Sequence, residues 1–348
     1  LLYRLNDLLK YLVADYFVND IFGDKKITSL KRCHMSPYAS GRTDFDISGS
    51  DDPAEIGNDP YIIHYPSIVA VADESGTTVE LIEFFDCIGG AMWSMHHYAK
   101  SPVVRSVRNC GSTMRYLLQP GMSELDLKGS SFPAGICGAE VYGEEIAVSY
   151  IGLGGGGVGA SGCRSFAGGV LRCRNDPSGG GKKAGATVWL PKRQRVLIGV
   201  DDTDTPDEGA TWTLTHNIAR TIEDENSRYI SHTIVQLFPV PYRTKNCVSI
   251  VCEFASSDPV SLIRSYQSLL EKYTLSDDTG MAAFTGFDPV SLLSFGNMVK
   301  RGEVQRESIP APANGKLELL MEGRGVIGAV AAIPFYTRFE EALSLWNG

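Results

Sequence analysis

The stretch Val196-Leu-Ile-Gly-Val-Asp201-Asp202-Thr203-Asp204 constrains this chain more than any other. Four of its first five residues are apolar, and they run straight into three carboxylates within four positions. The apolar run predicts a buried strand. Its C-terminal end then delivers Asp201, Asp202 and Asp204 to the edge at which open α/β sheets bind ligands. Carboxylates that close repel one another unless a cation sits among them. An all-oxygen ligand set suits Mg2+, whose other positions commonly go to phosphate. Taken alone, Asp-Asp-x-Asp reads instead as an acidic turn whose Asp caps the next helix. The sequence around it decides between the two.

A helix over 210–224 follows, with Leu214, Ile218, Ala219 and Ile222 on one face. Strands over 195–201, 229–238 and 247–254 and a helix over 259–273 complete the opening of a ferredoxin-like βαββαβ unit. Further helices are expected over 288–300, 325–333 and 338–346. Earlier in the chain, strand-like runs over 62–72 and 77–85 flank Asp73-Glu-Ser-Gly76 and predict a hairpin. A short helix over 91–98 and a second hairpin around Gly143 (140–142 with 145–151) follow. Composition changes near residue 193, after a Gly-rich region over 152–185.

From Val196 to about Phe335 the chain resembles the kinase domain of the archaeal tRNA-Ile 2-agmatinylcytidine synthetase. The signature block stands here as Gly199-Val-Asp201-Asp202-Thr203-Asp204, followed by Gly209-Ala-Thr211-Trp-Thr213. A second block is Pro241-Tyr242-Arg243-Thr244-Lys245 before Val248-Ser-Ile-Val, and a third is Gly323-Arg324-Gly325-Val326-Ile327-Gly328-Ala329-Val330-Ala331-Ala332. The resemblance covers under half of the chain. That synthetase begins with the aspartate motif and carries an OB-fold and a zinc ribbon after its kinase core. Here nearly 200 residues precede the motif, and no Cys-x-x-Cys occurs. A Gly-rich region ahead of the aspartate motif is similar to the methanogenesis marker protein 11 family of methane-metabolising archaea. The resemblances imply an α+β chain: an N-terminal Gly-rich α+β domain over 1–193 and a ferredoxin-like/α/β kinase-like domain over 194–348. A chain of 348 residues has room for two such cores.

The implied site is an ATP and Mg2+ site. Asp201, Asp202 and Asp204 are the candidate catalytic and metal-binding residues. Thr211 and Thr213 stand where a helix N-terminus receives phosphate; capping serves them equally well. Arg243 and Lys245 follow two prolines and would neutralise charge in phosphoryl transfer; otherwise they belong to a solvated loop. Gly323, Arg324 and Gly325 read as close backbone approach to a nucleotide, to a packed helix, or to both. Asp277-Asp278-Thr279-Gly280 reads as an acidic turn rather than a second acidic site. Lys182 and Lys183 belong to a basic segment: residues 160–195 hold eight basic residues against Asp176, and residues 201–225 hold eight acids against Arg220. Opposite charge suggests that this segment closes over the acidic site, unless it is a linker. Gly152-x-Gly154-x-x-Gly157 fits a dinucleotide fingerprint in form but is followed by glycines that make a poor helix. Neither His96-His97 nor Cys33-His34 has a visible third ligand.

The net charge of −9 argues against broad nucleic-acid binding. Eight cysteines without zinc-site spacing fit a reduced, cytoplasmic protein, and no apolar run approaches a membrane span. The chain opens at Leu1. Its first eighteen residues, with Arg4, Asp7, Lys10 and Asp15, carry too much charge for a signal peptide and read as an amphipathic helix. The expected function is ATP- and Mg2+-dependent phosphoryl or nucleotidyl transfer. By the marker-family resemblance it would serve maturation of the methanogenesis machinery, with methyl-coenzyme M reductase as first protein partner. An assembly factor that transfers nothing and a tRNA-modifying kinase, the RNA reading that the acidic charge disfavours, are the alternatives.

Overall fold

One strand organises the chain. The computed structural model describes residue 63 and residues 65–154, 163–176, 181–311 and 316–345. The first eighteen residues, Cys33-His34, the second half of the Gly152–Gly157 fingerprint and residues 177–180 lie outside them. Strand β9, Lys183–Asp201, is 19 residues long. Its first part pairs antiparallel with β7 (Glu145–Leu153) and β8 (Arg172–Asn175). At Lys192 and Arg193 it touches β1 (Ser67–Ala72) in parallel. Its last part pairs antiparallel with β11 (Val248–Ser256) and β12 (Gly280–Thr285). Position 193, where composition changes, is therefore inside a strand that both halves share.

In the N-terminal half, β1 and β2 (Val79–Phe84) form the expected hairpin. Strands β3 (Val104–Cys110) and β4 (Thr113–Leu118) extend it in the order β3-β4-β2-β1-β9. On the other side, β7 pairs with β6 (Ala134–Tyr142), the second expected hairpin, and β6 with β5 (Gly121–Met122). Helix α1, Ile88–Tyr98, packs on this sheet through Ala91 and Tyr98.

The C-terminal half matches the expected unit. Its order is β9, α2 (Thr211–Thr221), β10 (Ser227–Gln236), β11, α3 (Pro259–Tyr273), β12. The sheet order β10-β11-β9-β12 with antiparallel neighbours is that of a ferredoxin-like unit, and β13 (Leu317–Glu322) adds a further edge. Both faces are covered. Val196, Ile198 and Val200 point toward α2 and α3, against Ile218, Ile263, Tyr266 and Leu270. Leu197 points the other way, toward α4 (Leu293–Arg301) and α5 (Val326–Ala332). A short α6, Phe339–Leu343, packs beside β10. Asp258 caps α3 by accepting from Ser261 N, with Pro259 at the first helical position.

The halves meet through an apolar layer (Val69, Val71 and Ile82 with Ile230 and Ala255) and a buried ionic network. Arg115 binds Glu253 through two parallel bonds, Nη1 to Oε1 at 2.9 Å and Nη2 to Oε2 at 2.7 Å. Arg195 donates to Glu253 Oε1 at 3.0 Å and also to Glu80. Ser231 completes the shell around Glu253 at 2.7 Å. Among the described residues, Cys87, Cys110, Cys137, Cys173, Cys247 and Cys252 are free thiols. No helix among the described residues is long and apolar enough to cross a membrane.

Candidate active site

The alternation of β9 places Asp201 on the same face as Leu197, under α5. Asp201 still pairs with Gly280 of β12 and is the last residue of the strand. Asp202 then leaves the sheet with φ +55, a left-handed conformation that Asp tolerates better than most residues. Its backbone N–H donates to Asp201 Oδ1 at 2.9 Å. Thr203 is buried and donates to Thr211 Oγ1 from both its N–H (3.3 Å) and its hydroxyl (3.0 Å). Asp204 Oδ1 accepts long hydrogen bonds from Thr211 (3.5 Å) and Thr244 (3.4 Å). Asp204 therefore links the start of α2 to the 241–245 loop. Lys245 Nζ reaches Gly209 O at 3.3 Å in that same junction.

The Gly323-Arg324-Gly325 segment lies across the end of β9. Gly323 N–H donates to Thr279 O (3.1 Å) and Gly325 N–H to Asp278 O (2.9 Å). One turn into α5, a Cβ at Gly328 would overlap Asp201 Oδ2, so only glycine lets the helix lie against that carboxylate. The close-packing reading of these glycines is the one seen here. Thr279 Oγ1 donates to Asp202 O at 3.0 Å, which fastens the 277–279 turn to the aspartate motif. Asp278 carries the ion pair with Arg324, whose guanidinium stacks 5.1 Å from the Tyr242 ring centre.

Asp201, Asp202, Arg243, Tyr242 and the 323–325 segment line a cleft of about 290 Å3. Asp204, Thr211, Thr213 and Lys245 do not line it. Thr213 is exposed on α2, and Arg243 donates to Val240 O at 2.9 Å. Burial, then the charges of Asp202 and Asp204, pushes the Asp201 carboxyl well above its usual range. Burial and then Asp278 raise Asp202, with Arg324 opposing them. Among the described residues no group of three His, Cys, Asp or Glu could hold a metal ion. Two carboxylates on the cleft wall nevertheless fit Mg2+, which takes one or two and leaves its other positions to phosphate and water.

Lys182 and Lys183 stand elsewhere. Lys183 opens β9 and Asp201 closes it, so the strand holds them roughly 60 Å apart at about 3.3 Å per residue. Four of the eight basic residues in the segment around them have partners elsewhere. Arg164 is buried against Glu83, Arg172 pairs with Glu145, and Arg195 with Glu80 and Glu253. Arg193 donates to Glu225 O at 2.6 Å. Lys182 and Lys183 therefore stand at the opposite end of β9 from the acidic site over which the charge pattern led them to be expected. Two site residues carry no sequence signal of their own. Tyr242 is visible only as part of a motif, and Asp278 passes for a turn, although Asp277-Asp278-Thr279 repeats Asp201-Asp202-Thr203.

Known proteins share parts of this frame. The family model of the TiaS TCKD domain matches residues 197–265, from β9 into α3. An uncharacterized protein of Methanocaldococcus jannaschii, MJ0921, is 37% identical over 281 residues, spanning 78% of this chain and 93% of that protein. The crystal structure of TiaS in complex with an isoleucine tRNA and ATP is 25% identical with a TM-score of 0.37, over 40% of this chain and 36% of that one. For apo TiaS, described as an agmatidine synthetase of that tRNA, the figures are 24%, 0.36, 40% and 35%. The match thus spans about a third of the length of the TiaS chains.

Proposed function

This chain belongs to the family of the uncharacterized Methanocaldococcus jannaschii protein MJ0921, and we propose that it is an ATP-dependent, kinase-like transferase working at the end of β9. The observation that carries the reading is the pair Asp201 and Asp202 on the wall of a cleft, where burial and mutual repulsion disfavour their charged forms. A site built this way gains most from a cation. The match of the TiaS TCKD model to residues 197–265, which contain the aspartate motif, supports the same reading.

In this proposal Asp201 and Asp202 hold Mg2+, which when bound neutralises part of the phosphate charge. Asp204 orients the start of α2 and the 241–245 loop through Thr211 and Thr244. The N-terminal amides of α2 face incoming phosphate, and Thr213, on the same first turn, contributes its hydroxyl there. Arg243 and Lys245 counter the charge that develops on the transferred group. Gly323 and Gly325 set the backbone that presents Arg324 to the cleft. The division into a domain over 1–193 and a transferase domain over 194–348 is part of the proposal, and the separate apolar cores of the two halves support it.

The matching family model is that of a TiaS domain, and TiaS is described as a tRNA agmatidine synthetase. An RNA acceptor therefore has more support than methyl-coenzyme M reductase, which rests on the resemblance to the methanogenesis marker family alone. With a net charge of −9, contact with RNA would be confined to a small part of the surface. Calorimetry with MgATP tests the site: binding by the wild type and none by Asp201→Asn is expected. Unchanged binding by Asp201→Asn would remove the assignment. Transfer of label from γ-32P-ATP to RNA or protein in a complete extract then identifies the acceptor class.

A further inference from the structure

Arg324 is held in a way that suits exchange. The backbone on each side of it is pinned, Gly323 to Thr279 and Gly325 to Asp278, so only the side chain is free to move. Its guanidinium has two seats, the Asp278 carboxylate and the face of Tyr242. Tyr242 is itself steadied by its hydroxyl donating to Glu303 at 3.3 Å. Both partners of the ion pair are well exposed, at 57% and 43% of their side-chain area. Exposed pairs of this kind are weak and readily broken. Arg324 and Asp202 line the same cleft, and Asp202 feels the charges of both Asp278 and Arg324. The Arg324 charge therefore stands beside the carboxylates on which a divalent cation would draw.

Resting on the nucleotide reading above, we infer that Arg324 is the resident counter-ion of this acidic cleft and exchanges places with the divalent cation. Without cation it neutralises Asp278 and Asp202. A cation arriving there takes over that role and frees the guanidinium for the phosphate that the cation brings. A planar, five-donor guanidinium suits both duties, since carboxylate and phosphate present the same paired oxygens. Arg324 would thus be a phosphate-binding residue whose availability depends on metal loading.

The exchange predicts opposite signs for one substitution. Arg324→Gln should bind Mn2+ alone more tightly than the wild type, by about three- to five-fold, because a weak competitor is gone. The same variant should bind MgATP more weakly, by about ten-fold, because a charge-assisted phosphate contact is lost. Arg324→Lys keeps the charge but not the fork, so its Mn2+ affinity should stay near that of the wild type while MgATP binding weakens. Electron paramagnetic resonance of free Mn2+ reads the first affinity and calorimetry the second. Thermal melting checks that the variants are folded. Mn2+ affinity that stays level or falls in Arg324→Gln overturns the exchange. Failure of every form to bind MgATP overturns the nucleotide reading alone, because the Mn2+ measurement still decides the exchange.

Discussion

A buried and a half-buried cluster of carboxylates sit along the last half of β9, about 20 Å apart at 3.3 Å per residue, and they are handled in opposite ways. Glu253 and Glu80 lie at the junction of the halves with arginines supplied by β4 and β9. Burial alone would push Glu253 up, but Arg115 and then Arg195 outweigh it and hold the carboxyl at about 2. Asp201, half-buried beneath α5, has only a backbone N–H and two more carboxylates for company, so its carboxyl moves the other way. Burial is common to both. The difference lies in whether the fold supplies the positive charge. At the junction the chain completes its own network, which is a structural arrangement. At the strand end the only arginine acting on Asp202 is the exposed Arg324, and on the proposal above that leaves room for a cation.

The sharpest way to break this comparison is to remove a partner from the complete network. Arg115→Met strands Glu253 against a single arginine in the interior. Loss of a partner from a buried pair costs about 3–5 kcal/mol. Urea titration should show a loss of unfolding free energy of that size, or a chain that fails to fold. A variant as stable as the wild type would mean that the network contributes little.

Next in size is the opposite sign at Asp201. Asp201→Asn removes a charge that the folded chain disfavours, so the variant should be more stable than the wild type at pH 7 without Mg2+. The gain should read as a higher urea midpoint for Asp201→Asn than for the wild type. Saturating Mg2+ should stabilise the wild type and leave Asp201→Asn unmoved. Destabilisation by this substitution in metal-free buffer would end the contrast between the clusters.

Acid and alkali should separate the two regions further. Glu253 has a depressed folded value, about 2 against a usual 4.5. Its contribution is complete above pH 4.5 and is lost as pH falls toward 2. Asp201 has a raised folded value against a usual 3.8. Its contribution is complete below pH 3.8 and is lost as pH rises through the folded value. The stability gap between Asp201→Asn and the wild type should therefore widen from acid toward neutral pH. A gap that stays constant from pH 4 to pH 8 would contradict the raised carboxyl.

The smallest effect belongs to Lys182→Ala with Lys183→Ala. These lysines sit at the far end of β9, so MgATP affinity should stay within about two-fold of wild type, with salt dependence unchanged. A larger loss would bring the basic segment back to the acidic site.

Much of the C-terminal fold is legible in the sequence because its signals are local. Helix α3 occupies 259–273 as its apolar spacing and its Asp-Pro start predict, and β10 and β11 fall within two residues of their expected limits. The first half of β9 is not legible. Lys183–Pro191 mixes glycine, charge and proline, and it becomes a strand because β7 and β8 flank it. Strand β12 is hidden for a related reason. Gly280-Met-Ala-Ala-Phe-Thr has too many small residues to announce a strand, yet α5 packs so closely on it that larger residues would not fit.

The sequence by itself determined that a buried strand ends in three aspartates, because hydrophobic periodicity and the run of acids are properties of neighbouring residues. Only the tertiary structure decided which charges are paired. Arg195 finds Glu80 across 115 positions, and Asp278 meets Arg324 across 46. Pairing depends on which distant strands become neighbours, and no local pattern of charge carries that information.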